Sequence, residues 1–126
     1  EGTMLYSSDL PYNQFGGEEA IGVLIPNDLK HRWELCKQGD KHCLPKIIEK
    51  AEFCDMFHYD SDKSYEGREY AWSIIKPLLS PEAIVIFDDI QDNFHFRDLV
   101  RREKYDFKVF EFGGKYIGYL LNNESR

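Results

Sequence analysis

The sequence predicts an α/β fold: a Rossmann-like, mostly parallel sheet with a C-terminal antiparallel hairpin. Three observations carry that expectation. Strand-like and helix-like segments alternate along the chain, as they do where a sheet is built from strand-helix-strand units. Ala83-Ile84-Val85-Ile86-Phe87 is an apolar run without alternation, the pattern of a parallel strand covered by helices on both faces. Finally, Asp106–Phe112 and Lys115–Leu121 read as strands flanking Gly113-Gly114, which is a hairpin signature.

Taken in order, Met4–Ser7 is a short strand that ends in Ser8-Asp9-Leu10-Pro11, where the proline bars a central strand from continuing. A loop is expected at 12–17. Apolar Ile21–Ile25 is followed by Pro26-Asn27-Asp28, a helix-start signal with Asn27 as N-cap for a helix from Asp28 to about Trp33. Glu34–Lys37 reads as a strand closed by Gly39-Asp40. Leu44, Ile47, Ile48 and Ala51 share one face of a helix. Phe53–Tyr59 reads as a strand. Tyr65, Trp72, Ile75, Leu78 and Leu79 describe an amphipathic helix stopping near Ser80-Pro81. Asp92 or Asn93 caps a helix running to about Glu103. Trp33 and Trp72 both fall at core-facing helical positions, while His31 and His95 suit the surface or a cap.

With 126 residues and no linker or repeat, the chain is expected to form one continuous unit over 1–126. The net charge of -7 argues against a nucleic-acid coat and against anionic membranes, because the one dense basic stretch, Arg97–Lys104, is diluted by Asp98 and Glu103. Cys36, Cys43 and Cys54 form no disulfide-framework or zinc-ribbon spacing, which points to a reducing, cytoplasmic setting. No apolar run approaches the roughly 20 residues that span a bilayer, and no basic-then-apolar leader opens the chain. Glu1 rather than Met stands first, as in a piece of a longer protein.

In parallel sheets the working residues lie just beyond the carboxyl ends of the strands. Phe53–Tyr59 ends in Asp60-Ser61-Asp62-Lys63, and Ala83–Phe87 ends in Asp88-Asp89. A right-handed crossover through the intervening helix makes these strands parallel neighbours and brings Asp60, Asp88 and Asp89 to one crevice. Crowded carboxylates repel, and one stays protonated unless a cation compensates. A hard divalent ion, Mg²⁺ or Ca²⁺, is the natural partner. Acids near helix starts are more often caps and solvated loop ends, but a set at two consecutive strand ends weighs the other way. Lys63 can lean over the same crevice, and burial together with the ion would lower its pKa toward that of a general base.

Strand, Asp60-Ser61-Asp62-Lys63-Ser64-Tyr65-Glu66-Gly67, helix, strand and Asp88-Asp89-Ile90 resemble the second half of a class I S-adenosylmethionine-dependent methyltransferase. The likeness is to the metal-dependent O-methyltransferases: the catechol, caffeoyl-CoA and macrocin types and the cephalosporin hydroxylase-like bacterial group. Tyr6-Ser7-Ser8-Asp9-Leu10-Pro11 and Gly39-Asp40, with Leu44-Pro45, are similar to that group's second and third strand ends. The resemblance implies that Asp9 accepts hydrogen bonds from the ribose of S-adenosylmethionine, and that Asp40, with Lys41 and His42, sits at the adenine. It implies that Asp60, Asp88 and Asp89 hold the divalent metal, where many relatives have Asp-Asn in the last pair, and that Lys63 takes the proton. The reaction it implies is methyl transfer to a hydroxyl, with a small-molecule hydroxyl acceptor as partner and room for a homo-oligomer.

Two departures stand out. Pro81-Glu82-Ala83 replaces the family's Gly-Gly turn before its fifth strand. The first strand and glycine-rich turn, which lie centrally between the strands ending at Asp9 and Asp60, are not in the sequence, so the usual strand order cannot form. Three other readings remain: a haloacid-dehalogenase-like phosphatase on Asp60 and Asp62, a zinc module of Cys36, Cys43, Cys54 and His58, and a non-catalytic methyltransferase-like remnant serving as a binding or assembly module.

Overall fold

A computed structural model describes residues 2–11 and 17–121. The expected loop at 12–17 therefore lies, except for Gly17, outside the described residues. The chain divides into two compact units, Glu1–Ile47 and Ile48–Arg126.

In the first unit, strands β1 (Leu5–Ser8) and β2 (Trp33–Cys36) pair in parallel, with Leu5 opposite Trp33 and Ser8 opposite Cys36. Helix α1 (Asp40–Ile48) follows. The expected helix from Asp28 to Trp33 does not form. Only a single 3₁₀ turn, Lys30–Arg32, is present, with no side-chain cap. Leu29 is the one apolar residue between Asp28 and Arg32, so a helix there has no face to bury, and six residues are too few to hold a helix without tertiary packing. Trp33 is thereby a strand residue, half-buried, donating Nε1–H to Ser7 Oγ at 3.0 Å. Its ring lies so close to Gly22, whose φ is +74°, that a Cβ there would sit 2.1 Å away.

Cys36 and Cys43 form a disulfide across a sequence separation of 7. This corrects the reading of the cysteines as unpaired, removes two of the four ligands from the zinc module, and takes away the argument for a reducing compartment. The spacing is unremarkable in sequence because the pairing depends on Gly39. At φ +75° it folds the chain back from β2 into α1.

In the second unit, β3 (Cys54–Tyr59), β4 (Leu79–Phe87), β5 (Asp106–Phe112) and β6 (Lys115–Leu121) form a sheet in the order β3-β4-β6-β5. Strands β3 and β4 are parallel, as expected from the crossover through helix α2 (Tyr65–Ile75), and β6 is antiparallel to both β4 and β5. The hairpin has the bounds expected of it. The α2 helix ends earlier than predicted. Pro77 stands in a 3₁₀ turn over Lys76–Leu78, and β4 begins at Leu79. Ser80-Pro81 is tolerated inside β4 because pairing with β3 is irregular there, jumping from Cys54 opposite Leu79 to Met56 opposite Ile84.

Strand β4 is not covered equally on both faces. Ala83, Val85 and Phe87 are buried, whereas Ile84 and Ile86 are only half-buried. The reason is that α2 and helix α3 (His95–Glu103) pack on the same side: Phe87 touches Trp72 of α2 as well as His95 and Phe96 of α3. Phe57 and Tyr59 complete this aromatic core. A Cβ at Gly118 would come within 2.4 Å of the Phe96 ring, so glycine there lets α3 close onto the sheet. Asn93, not the N-cap residue Phe94, supplies the side-chain cap of α3, accepting from His95 N at 2.9 Å. His95 is not a surface residue: it is fully buried, with Nε2 3.1 Å from Glu69.

No helix among the described residues is long and apolar enough to cross a membrane.

Candidate functional site

At the carboxyl ends of β1 and β2 the backbone is laced together, Asp9 N donating to Cys36 O at 2.9 Å and Gly39 N to Asp9 O at 3.0 Å. Asp9 turns its carboxylate onto Leu10 N at 2.7 Å, and Asp40, the first residue of α1, accepts from Ser8 Oγ at 2.6 Å. The other Asp40 oxygen, Oδ2, is buried without a partner among the described residues. A buried lone acceptor of this kind fits a ligand N–H or O–H donor, because leaving it unsatisfied costs about 1–3 kcal/mol. Lys41 and His42 follow on the exposed side of α1. The structure thus brings Asp9 and Asp40 to adjoining strand ends.

In the second unit, Tyr59 pairs with Phe87, and Asp88 N donates to Tyr59 O at 3.0 Å, so β3 and β4 end level. The residues just beyond them converge: one carboxylate oxygen from each of Asp60, Asp88 and Asp89 lies within 4.8 Å of the others. The Lys63 ammonium touches all three, hydrogen-bonded to Asp60 and standing 3.6 Å from Asp88 and 3.3 Å from Asp89. Burial pushes the Lys63 pKa down, but the hydrogen bond and charge of Asp60 and then those of Asp89 outweigh it, and the net direction is up. Burial is the largest single influence, yet Asp60 and Asp89 together outweigh it; the lowering expected with a bound ion concerns a different charge state of the site. Asp89 is held below its usual range by a hydrogen bond from Gln91 and, against partial burial, by Lys63 and Lys115. Three anionic oxygens gathered around a cationic side chain form a donor set that fits a hard divalent cation.

Several residues that build this site escaped the sequence reading. Lys115 reaches Asp89 at 3.4 Å because β6 runs antiparallel to β4 and so starts beside its end. That position follows from the hairpin register once β6 is paired with β4. Asp89 has a left-handed backbone, φ 48°, and Arg68 Nη2 donates to its carbonyl at 3.0 Å. Nothing local in the sequence signals either feature. Asp62, the second acid of the phosphatase reading, is committed elsewhere: its carboxylate caps Ser64 N at 2.9 Å and packs against Gly67.

Residues 4–90 match the family model described as a methyltransferase domain. The chain belongs to the methyltransferase domain family. No curated protein matches it. Among solved structures, the methyltransferase domain is similar to an O-methyltransferase from Bacillus cereus in complex with SAH, at 17% identity and TM-score 0.60, covering 75% of this chain and 52% of that one. A methyltransferase from Geobacter sulfurreducens matches at 16% identity and TM-score 0.53, over 75% of this chain and 47% of that one. A putative caffeoyl-CoA O-methyltransferase from Staphylococcus aureus matches at 14% identity and TM-score 0.54, over 75% and 54%. The chain therefore spans about half the length of these structures. At such identities the likeness shows the fold. That fold is a mixed α/β architecture, here with a two-stranded sheet, β1-β2, and a four-stranded sheet, β3-β4-β6-β5.

Proposed function

We propose that this chain is part of an S-adenosylmethionine-dependent O-methyltransferase that acts on a small-molecule hydroxyl with the help of a divalent metal. The convergence of Asp60, Asp88 and Asp89 around Lys63, in a chain of the methyltransferase domain family, is the observation that supports this reading most strongly. When bound there, a divalent ion such as Mg²⁺ would supply Lewis acidity that lowers the pKa of a substrate hydroxyl. Lys63 lies against the three carboxylates; with an ion there to lower its pKa and release its own proton, the neutral amine would take the hydroxyl proton as the oxygen bonds to the methyl carbon and the carbon–sulfonium bond breaks, leaving S-adenosylhomocysteine. Asp9 and Asp40 are proposed to receive the donor's hydroxyl and amino hydrogens. The unpartnered Asp40 Oδ2 supports that part of the reading, and exposed Lys41 and His42 would flank the same ligand.

One observation favours a second reading. The two sheets are not joined by a strand among the described residues, which suits a non-catalytic binding or assembly module. Titration calorimetry with S-adenosylmethionine, with and without MgCl₂, separates the two. Micromolar binding is expected for the enzyme reading, whereas no heat under either condition would leave only the module.

A further inference from the structure

We propose that Arg68 is a positioning residue, a buried crosslink that sets the spacing of the two loops from which Asp60, Lys63, Asp88 and Asp89 project. The inference deepens the metal-site reading above and rests on it for one of its two tests.

Arg68 lies in the first turns of α2 with a side chain only 1% exposed. Its donors reach the main chain of both acid-bearing loops, Nη2 to Asp89 O at 3.0 Å and Nε to Lys63 O at 3.4 Å. Neither partner is a carboxylate, and Nη1 is buried without a partner among the described residues. Burying a guanidinium on such terms is destabilising, and an apolar side chain of similar volume would fill the space at less cost. What an apolar side chain cannot do is hold two carbonyls from different loops at a fixed distance, and the rigid planar fork of arginine suits that task. The local backbone is arranged to receive it. Asp89, in its left-handed conformation, turns its carbonyl to Arg68 while its carboxylate faces Lys63 and Lys115. On the other loop the Lys63 carbonyl accepts a second donor, Asn93 Nδ2 at 2.6 Å. Each loop thus gives a carbonyl to the underside and carboxylates to the crevice, so the separation of the carboxylates follows from the carbonyls that Arg68 holds.

The test uses the full chain and the Arg68→Met, Arg68→Lys and Asn93→Ala variants. In the ion-free protein, hydrogen exchange is followed at the amides of 63–65 and 88–90. Arg68→Met should speed exchange in both loops together, Arg68→Lys less so because one ammonium reaches one carbonyl, and Asn93→Ala chiefly around Lys63. In the second arm, Mg²⁺ affinity is measured by calorimetry at a temperature where circular dichroism shows each variant folded. Arg68→Met should weaken it about 10- to 100-fold, the usual loss when an outer-shell partner is removed, with Arg68→Lys intermediate. Should Arg68→Met fail to fold, the other two variants carry both arms. Exchange that rises in one loop only, or Mg²⁺ affinity unchanged in variants that remain folded, would overturn the proposal. If the parent chain binds no Mg²⁺, the metal reading falls, and the hydrogen-exchange arm alone decides on Arg68.

Discussion

Residues 1–47 and 48–126 each carry a pair of parallel strands whose carboxyl ends finish in acids, yet the acids find different partners. In the first unit Asp9 accepts from a backbone N–H and Asp40 from the Ser8 hydroxyl, both neutral donors. In the second, Asp60, Asp88 and Asp89 are compensated by Lys63 and Lys115. The difference follows from crowding. Two acids on separate turns are met by neutral donors, whereas three with oxygens inside 4.8 Å are met by positive charge. The first arrangement suits neutral N–H and O–H groups of a ligand, and the second suits a cation.

That contrast breaks most visibly in a crossed pair of substitutions. Asp88→Ala should lower Mg²⁺ affinity by at least about 100-fold, since a ligand counts for more than an outer-shell partner, and should spare the Asp9–Asp40 end. Asp40→Ala should leave Mg²⁺ affinity unchanged and abolish S-adenosylmethionine binding. Calorimetry with each ligand on each variant reads the outcome, and equal Mg²⁺ loss in both variants would end the division of labour. The next effect in size concerns stability. Replacing Cys36 and Cys43 by serine opens a small loop, with an expected cost of about 2.5 kcal/mol from chain entropy. Urea unfolding should show it while Mg²⁺ affinity holds.

How much of this was legible depended on whether the cause was local. The hairpin was readable because Gly113-Gly114 and the flanking apolar strands specify it by themselves, and the β3–β4 crossover followed from handedness and the strand-helix-strand order. The gathering of Asp60, Asp88 and Asp89 came from the same rule. The helix expected at Asp28–Trp33 failed because no apolar face followed Pro26-Asn27, and the short 3₁₀ turn that forms instead starts after Leu29 without a side-chain cap. Long-range pairing explains the other misses: the Cys36–Cys43 bond, the burial of His95 beneath Tyr65 and Phe87, and the reach of Arg68 to Asp89. A chain read residue by residue does not display a carbonyl turned inward by a left-handed aspartate.

The core of the second unit offers a test by pH. Burial pushes the His95 pKa down from 6.5, against the raising effect of Glu69. A base with a depressed folded pKa is neutral in the native state while the unfolded chain takes up a proton. Stability is therefore full above the unfolded value and declines as pH falls below it toward the folded one. Urea midpoints should fall as pH is lowered through the 6s, and His95→Gln should flatten that slope. The first unit contains no comparably buried histidine among its described residues, His31 and His42 both being exposed.

The smallest effect is the most discriminating because its sign opposes that of Asp88→Ala. Lys63 occupies with its own charge the position between three carboxylates that an added cation would take. Its pairs are partly exposed, and exposed pairs contribute about 1 kcal/mol or less each. Lys63→Met should therefore raise Mg²⁺ affinity, by about fivefold if one such pair's worth of competition is relieved. The same substitution should abolish methyl transfer in any assembly that supports it, since the proton acceptor is gone. Tighter ion binding with no turnover would fit a lysine that both competes with the ion and takes the proton. Weaker ion binding would mean that Lys63 helps to build the site, and its competition with the ion would have to be abandoned.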